Sequence, residues 1–344
     1  MSGSVADNID RQSGVIAEPA GGPEVRSDDP SASAGTVWFN TTSGVLKVYR
    51  LISAWATEAT ITVAKGGGMG FGVPTAALIA GGTSDMSNFL DTSYEYNGSS
   101  WSNGGTLANA GLEGLCFGTL AAAYTHGGYN DPSGAGGFHQ NSEEYDGTSW
   151  SSSDDYTDDI KNNAGAFGTQ TAGASAGQRD TGNTVDTGMR EYNGSSWSAE
   201  SDRNNAVYDA SCSGTQTAGL SAGGKNSSHS KQNHGEEYDG TSWSNEGDLA
   251  TARAYEGTGT CGTQSSALTV GGQPASGTIA TVEVYNGSTW SAGTSIANPT
   301  YQAQTAAVSG TDFQYMGGNL ANSSITTANY NFAETVTART VTDS

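Results

Sequence analysis

One seven-residue phrase recurs five times, and its spacing limits the fold before any other feature does. "YNGSSWS" starts at Tyr96 and returns as "YDGTSWS" at Tyr145, "YNGSSWS" at Tyr192, "YDGTSWS" at Tyr238 and "YNGSTWS" at Tyr285. The tryptophans of the phrase are Trp101, Trp150, Trp197, Trp243 and Trp290, spaced 49, 47, 46 and 47 residues apart. A constant period of this length marks a chain of repeated supersecondary units, as in a solenoid, propeller or array. Paired glycines keep the same period at Gly81-Gly82, Gly127-Gly128, Gly223-Gly224, Gly271-Gly272 and Gly317-Gly318. Ala176-Gly177 reads as the degraded third pair, which gives six diglycine units but only five tryptophan units.

Asn-Gly and Asp-Gly are strong hairpin signals, because a two-residue type I′ turn needs φ > 0 at both central positions. The flanks agree: "TSYEY" and "TVEVY" are rich in strand formers. Each phrase therefore reads as a hairpin between antiparallel strands, with Tyr and Trp packed across the strand pair. Asn97, Asn193 and Asn286 also fit the N-glycosylation pattern, but Asp146 and Asp239 in the sister copies cannot carry a glycan. A turn accepts either residue, so the turn role is preferred.

With 50 glycines in 344 residues, 14% charged residues, 15 Tyr and 7 Trp, the chain has both turn formers and a core. An all-β fold follows. A net charge of −22 argues against a nucleic-acid partner, since phosphate binding draws on clustered Lys and Arg. No apolar run approaches the ~18 residues of a membrane span, and "MSGSVADNIDRQSG" lacks the features of a signal peptide. Synthesis in a cytoplasm without export is the expectation. Cys116, Cys212 and Cys261 fall in different repeats, and without a CxxC pair they read as buried free thiols rather than a disulfide or zinc framework.

Each unit offers four strands. They are the run before a "GT" step, the apolar run ending at the diglycine, the run ending at Tyr, and the run after Trp. Small four-stranded sheets cannot bury their faces alone, and radial packing into a propeller solves that. The diglycine, Tyr285 and Trp290, with Arg253 in "LATAR" ahead of them, resemble kelch repeats over about residues 56–332. The match departs from the kelch pattern where Arg253 lacks a counterpart in most units and the third diglycine is degraded. The sixth unit ends at "TTANYNF" without a Trp strand, and "WATEATITVA" from Trp55 aligns with "WSAGTSIANP" from Trp290. Residues 55–64 are therefore expected to supply the last outer strand and close a six-bladed ring, removing an open edge.

Little in the sequence points to catalysis. His126, His139, His229 and His234 show no metal-ligand spacing, and the acidic run Asp154 to Asp159 lacks the glycine of a calcium loop. "YDGTSW" differs in register from the Asp-box of sialidase propellers, and no G-x-S-x-G elbow is present. No enzyme, cofactor or metal is expected. The variable stretches 129–143, 178–189 and 225–236 join strands within units and should emerge on one face, where recognition resides. Tyr129, Phe138, His139, Arg179, Lys225 and His229 are the candidate binding residues there.

A second resemblance lies near the N-terminus. In "GTVWFNTTSGVLKVY", Gly35, Trp38, Phe39, Asn40, Leu46, Lys47 and Tyr49 resemble a short module of phage tail-fibre and virion proteins, and "EYNGSSWS" and "FGTQTA" resemble glycine-rich propellers of marine and cyanobacterial phages. The resemblance implies a virion component, assembled in the host cytoplasm as a fibre or decoration, present in several copies and displaying a propeller toward host-surface glycans. Other readings are a non-viral adhesin or filament subunit, and a polysaccharide-degrading enzyme. The expected organisation is an extended arm over 1–35 docking to other virion proteins, a β-hairpin over 36–54, the all-β six-bladed kelch-like propeller over 55–334, and a tail over 335–344.

Overall fold

The computed structural model describes Glu24 to Val341, except residues 32–34, 86, 130–137, 157–159, 164, 181, 255–261, 310–311 and 321–328. Among the described residues there is no helix. Five sheets repeat one antiparallel plan. The first runs Met69–Val73, Ala76–Ala80, Thr92–Tyr96, Trp101–Thr106. The second runs Leu115–Thr119, Ala122–Tyr129, Phe138–Tyr145, Trp150–Ser153. The third holds Ala166–Thr169, Ala172–Asp180, Val185–Tyr192 and Trp197–Glu200, with Ile160–Asn163 added beside Ala172–Asp180. The fourth is Ser211–Thr215, Ala218–Ala222, Gly235–Tyr238, Trp243–Glu246, and the fifth Gly262–Thr263, Ser266–Val270, Val282–Tyr285, Trp290–Ala292. A sixth sheet orders Gln304–Ser309, Asp312–Met316, Asn329–Thr340 and then Val45–Thr57. The first strands of successive sheets pack side by side, and Gln304–Ser309 returns against Met69–Val73. This is a β-propeller-like architecture.

The chain divides into two compact units. One is Met1–Ala54 with Glu334–Ser344, and the other Trp55–Ala333. In the first, Val37–Asn40 and Val45–Thr57 form the hairpin, and Glu24–Arg26 pairs in parallel with Val37–Asn40. The Lys47 ammonium bonds Asp29 at 2.9 Å, and the Tyr49 hydroxyl donates to the Pro30 carbonyl at 2.7 Å. Residues 24–30 are thus part of this small module, which shortens the expected free arm; residues 1–23 lie outside the described residues. Two further boundaries move. The outer strand ends at Thr57 rather than at 64, and residues 335–340 continue a strand rather than form a tail.

The repeated phrase is a hairpin, but not of the expected turn type. Tyr96 pairs with Trp101, so four residues form the loop. Only the glycine is left-handed, with φ of 89° at Gly98 and 92° at Gly147. The Asn97 Oδ1 accepts the backbone N–H groups of Ser99 and Ser100, and the Asp146 Oδ1 those of Thr148 and Ser149. The task at this position is to accept two backbone donors, and a carboxylate or an amide oxygen does so equally. That is the physical reason for the Asn/Asp exchange. The backbone bonds of Ser149, followed by the Thr148 side chain, hold the Asp146 carboxyl below its usual value. Tyr and Trp pair across the strands as expected, with ring centroids 4.9–5.2 Å apart in the five copies.

The same residues tie each sheet to its neighbour. The tyrosine hydroxyl of one phrase donates to the glutamate standing just before the tyrosine of the preceding one. Tyr145 reaches Glu95, Tyr192 reaches Glu144 at 2.7 Å, Tyr238 reaches Glu191 at 3.0 Å and Tyr285 reaches Glu237 at 2.8 Å. Tyr96, first in the series, donates instead to Glu58 at 3.1 Å. The indole N–H groups also point back one sheet, Trp101 to the Ala59 carbonyl and Trp150 to the Ser93 hydroxyl. Trp55 behaves likewise: it donates to the Thr294 carbonyl at 2.7 Å while packing edge-on against Phe313 and Tyr315. The Gln of "GTQ" is a third tie. Gln170, Gln216 and Gln264 each donate to two carbonyls of the preceding sheet.

The glycine of the "GT" step, written Gly72-Val73 in the first sheet, is required by geometry. Gly72, Gly118, Gly168 and Gly214 have φ of 104–122°, and a Cβ there would lie 2.0–2.4 Å from a carbonyl oxygen of the adjoining strand. These glycines, with Gly262 and Ala307, line a cavity of about 110 Å³ where the first strands meet. Counting from them corrects the third diglycine by one residue. Gly177, with φ 72°, holds the position of Gly81 and Gly127, and Gln178, not Gly177, replaces the second glycine. Gln178 pairs with Asn163 and Asp186, in a strand that runs on past this position as Ala122–Tyr129 also does.

Arg253 proves to have a counterpart. Its guanidinium is buried and donates to the carbonyls of Gly271 and Thr281. The Lys65 ammonium, equally buried, donates to the carbonyls of Gly81 and Thr92, which hold the same repeat positions. Both cations stand ten residues after their tryptophan, Trp243 and Trp55. Burial pulls the Lys65 ammonium down to about 7, opposed by the Asp91 carboxylate. The unfolded chain holds that proton up to the ordinary value of 10.5. Between these values the unfolded state binds more protons, so stability rises with pH. Relative to Lys65→Met, the protein should gain at most about 1.4 kcal/mol per pH unit from pH 7 to 10. Urea unfolding of both at each pH checks this, and a constant difference contradicts it.

Candidate functional site

The loops entering each first strand and those joining second to third strands meet at one end of the Trp55–Ala333 unit. Five residues ahead of Gly72, Gly118, Gly214 and Ala307 stand Gly67, Glu113, Asp209 and Gln302, all left-handed with φ of 62°, 60°, 55° and 54°. Four units thus share one backbone shape at this position, whereas in the third unit Asn163 lies in a strand instead. Glycine adopts it freely, whereas Glu and Gln pay of order 1 kcal/mol each. Backbone bonds link neighbours here, Gly67 N–H to the Gln302 carbonyl at 3.0 Å and Glu113 N–H to the Gly67 carbonyl at 2.7 Å. Because Gly67 has no side chain, Gln302 reaches past it and its Nε2 donates to the Glu113 carboxylate. The Asn319 amide donates in turn to the Gln302 Oε1.

A second group gathers around Tyr208. The Lys225 ammonium bonds the Asp209 carboxylate at 2.9 Å, both side chains being buried. Burial raises the Asp209 carboxyl above its usual value, and Lys225 opposes this. Lys225 and Arg179 lie over the Tyr208 ring at 5.2 and 5.3 Å, and the Tyr208 hydroxyl is 2.5 Å from His229 Nδ1. Burial, then the charges of Asp209 and Glu113 against that of Arg179, pushes the Tyr208 hydroxyl up to about 12. Burial and the Glu113 charge raise Tyr301 as well. Lys231, lowered by burial and by Lys225, borders a cleft of about 270 Å³ with Tyr301 and residues 273–278.

The structure brings Arg179, Lys225 and His229 together around Tyr208, although Lys225 is 4% exposed and serves Asp209 rather than solvent. Tyr129 packs edge-on against Phe89 at 5.6 Å and pairs with Leu112, beside Glu113. The backbones of Phe138 and His139 pair with Tyr129 and Gly128; their side chains lie outside the description. Glu113, Tyr208, Asp209, Lys231, Tyr301 and Gln302 escaped the sequence reading. Aligning the repeats on the "GT" glycine instead of the tryptophan exposes Glu113 and Asp209, but not Gln302, whose repeat has Ala307 in place of that glycine. Elsewhere, His126 Nδ1 lies 2.8 Å from the Ser142 hydroxyl, but both are 2% exposed or less and burial pulls His126 down to about 3. This Ser–His pair is sealed from solvent and holds its sheet together. Among the described residues, no three His, Cys, Asp or Glu side chains are placed to hold a metal ion, and the Cys116 and Cys212 side chains are buried.

No family model matches the chain, and no curated protein matches it. Solved structures do. That of YjhT is similar at 10% identity with a TM-score of 0.66, covering 81% of this chain and 99% of the other. At that identity the likeness is one of fold. It places the repeated four-stranded sheets in a β-propeller-like architecture.

Proposed function

We propose that the chain is a six-bladed, kelch-like propeller of a bacteriophage virion, a fibre or decoration protein whose looped face attaches to host-surface glycans. The observation that carries the reading is the looped end itself. There long polar side chains occupy left-handed positions that glycine fills more cheaply, next to half-buried tyrosines and the Lys231–Tyr301 cleft. Strained side chains that persist on a rigid frame are a mark of binding sites. Tyrosine rings and convergent donors and acceptors suit a ligand rich in hydroxyls, which presents apolar C–H faces and polar edges together. The N-terminal resemblance to phage virion modules supports the setting, and the cyclic packing of the first strands supports six blades closed by Trp55.

Incubation with purified host capsule or lipopolysaccharide tests it. The protein should be retained on the polysaccharide and release no oligosaccharide. Glu113→Ala should weaken retention at least about tenfold, and Gln302→Ala should weaken it less, because Gln302 is buried and acts by holding the Glu113 carboxylate in place. Released oligosaccharide would make the face an active site, and undiminished retention would move the binding site elsewhere.

A further inference from the structure

Three large apolar side chains are exposed among the described residues: Val25 at 68%, Phe39 at 38% and Val341 at 38%. All three belong to the small unit of residues 1–54 and 334–344. They are also in line. Val25 is the register partner of Phe39, Phe39 is the partner of Leu46, and the Val341 N–H bonds the Leu46 carbonyl at 2.9 Å. Val25, Phe39, Leu46 and Val341 thus form one row across the sheet. The residues beside them serve the opposite face, where Trp38 and Tyr49 pack at 4.6 Å and Lys47 and Tyr49 bond the segment Asp29–Pro30. One face is covered by its own chain, and the other presents an apolar row ending at Glu24–Arg26, an edge strand.

We propose that this row is the contact between copies of the chain. Charge decides the occupant. The small unit carries eight acidic and five basic residues, a net of −3, while Trp55–Ala333 carries 27 acidic and eight basic, a net of −19. Two larger units repel one another, so copies approach most cheaply through the unit that is nearly neutral. That unit also holds every exposed large apolar side chain among the described residues. Contiguous apolar surface of this kind marks an association site. The edge strand next to it can extend the contact by pairing with its copy. This inference does not rest on the attachment reading. It concerns a different unit and stands or falls by stoichiometry alone.

Sedimentation equilibrium of the full-length protein at low and high salt is the test. The wild type should associate, and more tightly at high salt, where repulsion between the acidic units is screened. Phe39→Glu should raise the dissociation constant at least about 100-fold by setting a charge in the contact. Val25→Asp, at a residue two-thirds exposed, should do the same without a folding cost, checked by an unchanged unfolding temperature. A wild type that stays monomeric at both salt concentrations overturns the proposal, as does association unaffected by either substitution. If the protein is monomeric and associates only once residues 1–23 are removed, the row belongs to the chain's own N-terminal segment, and the proposal is again wrong.

Discussion

The unit Trp55–Ala333 expressed alone should unfold at nearly the temperature of the full chain, whereas Lys65–Ala333 should unfold roughly 10 °C or more below it. The ten residues in question connect the sheets on either side of the join. Trp55 packs on Phe313 and Tyr315 and bonds Thr294. Glu58 accepts from Tyr96, and the Ala59 carbonyl accepts from Trp101. Ile61, 2% exposed, sits in a cluster with Ala77, Ile79, Tyr94, Ala306 and Met316. Losing one buried Ile and one half-buried Trp costs ~4 kcal/mol or more by large-to-small analogy. Leaving Tyr96 and Trp101 without acceptors adds about 1 kcal/mol each. Calorimetry on the two forms checks this, and equal unfolding temperatures would show that the join needs no N-terminal strand.

The buried ion pairs should give the largest single-residue effects. Arg253 donates to Glu283 at 2.5 Å, and Glu283 also accepts the Ala250 N–H at 2.7 Å. Arg203 donates to Glu236 at 3.1 Å with both side chains fully buried, and Glu236 also accepts the Asn205 N–H. Each glutamate thus neutralises a cation and caps the loop arriving from the preceding sheet. Glu283→Gln or Glu236→Gln should destabilise by ~3–5 kcal/mol, since each leaves a guanidinium buried without its counter-charge. Arg253→Met with Glu283→Met should cost less than the two single changes summed. Additive losses would show that Arg253 and Glu283 act independently.

Arg253 and Arg203 also show where the sequence stops being legible. Arg253 stands ten residues after Trp243, but Arg203 stands six after Trp197, where Leu107 and Leu249 stand in other repeats. Both guanidinium groups nonetheless reach the glutamate two residues before the next tyrosine. A long side chain can serve one carboxylate from two backbone positions, and no spacing rule reveals that. Lys65 was legible in principle at the same offset as Arg253, but it falls between the N-terminal module and the first full repeat, where alignment had no anchor.

The period, the strand count per repeat and the Tyr–Trp pairing were readable because each depends on local spacing. The turn type was misread because Asn-Gly suggests two central residues, while the side-chain oxygen of Asn97 or Asp146 organises four. The site was read least well. Lys225 looked like a loop cation, yet burial against Asp209 is a tertiary fact. Tyr208 and Tyr301 fall in stretches with no motif, and only the packing of neighbouring sheets brings them toward Glu113.

Hydrogen exchange of the full-length protein, compared with and without saturating host polysaccharide, tests most directly whether the looped face binds glycan. Exchange should slow in the segments around Glu113, Tyr208–Asp209, Lys225–Lys231 and Tyr301–Gln302, with the turns at Asn97, Asp146, Asn193, Asp239 and Asn286 unchanged. Protection confined to those turns, or none at the looped face while the polysaccharide is bound, would contradict it.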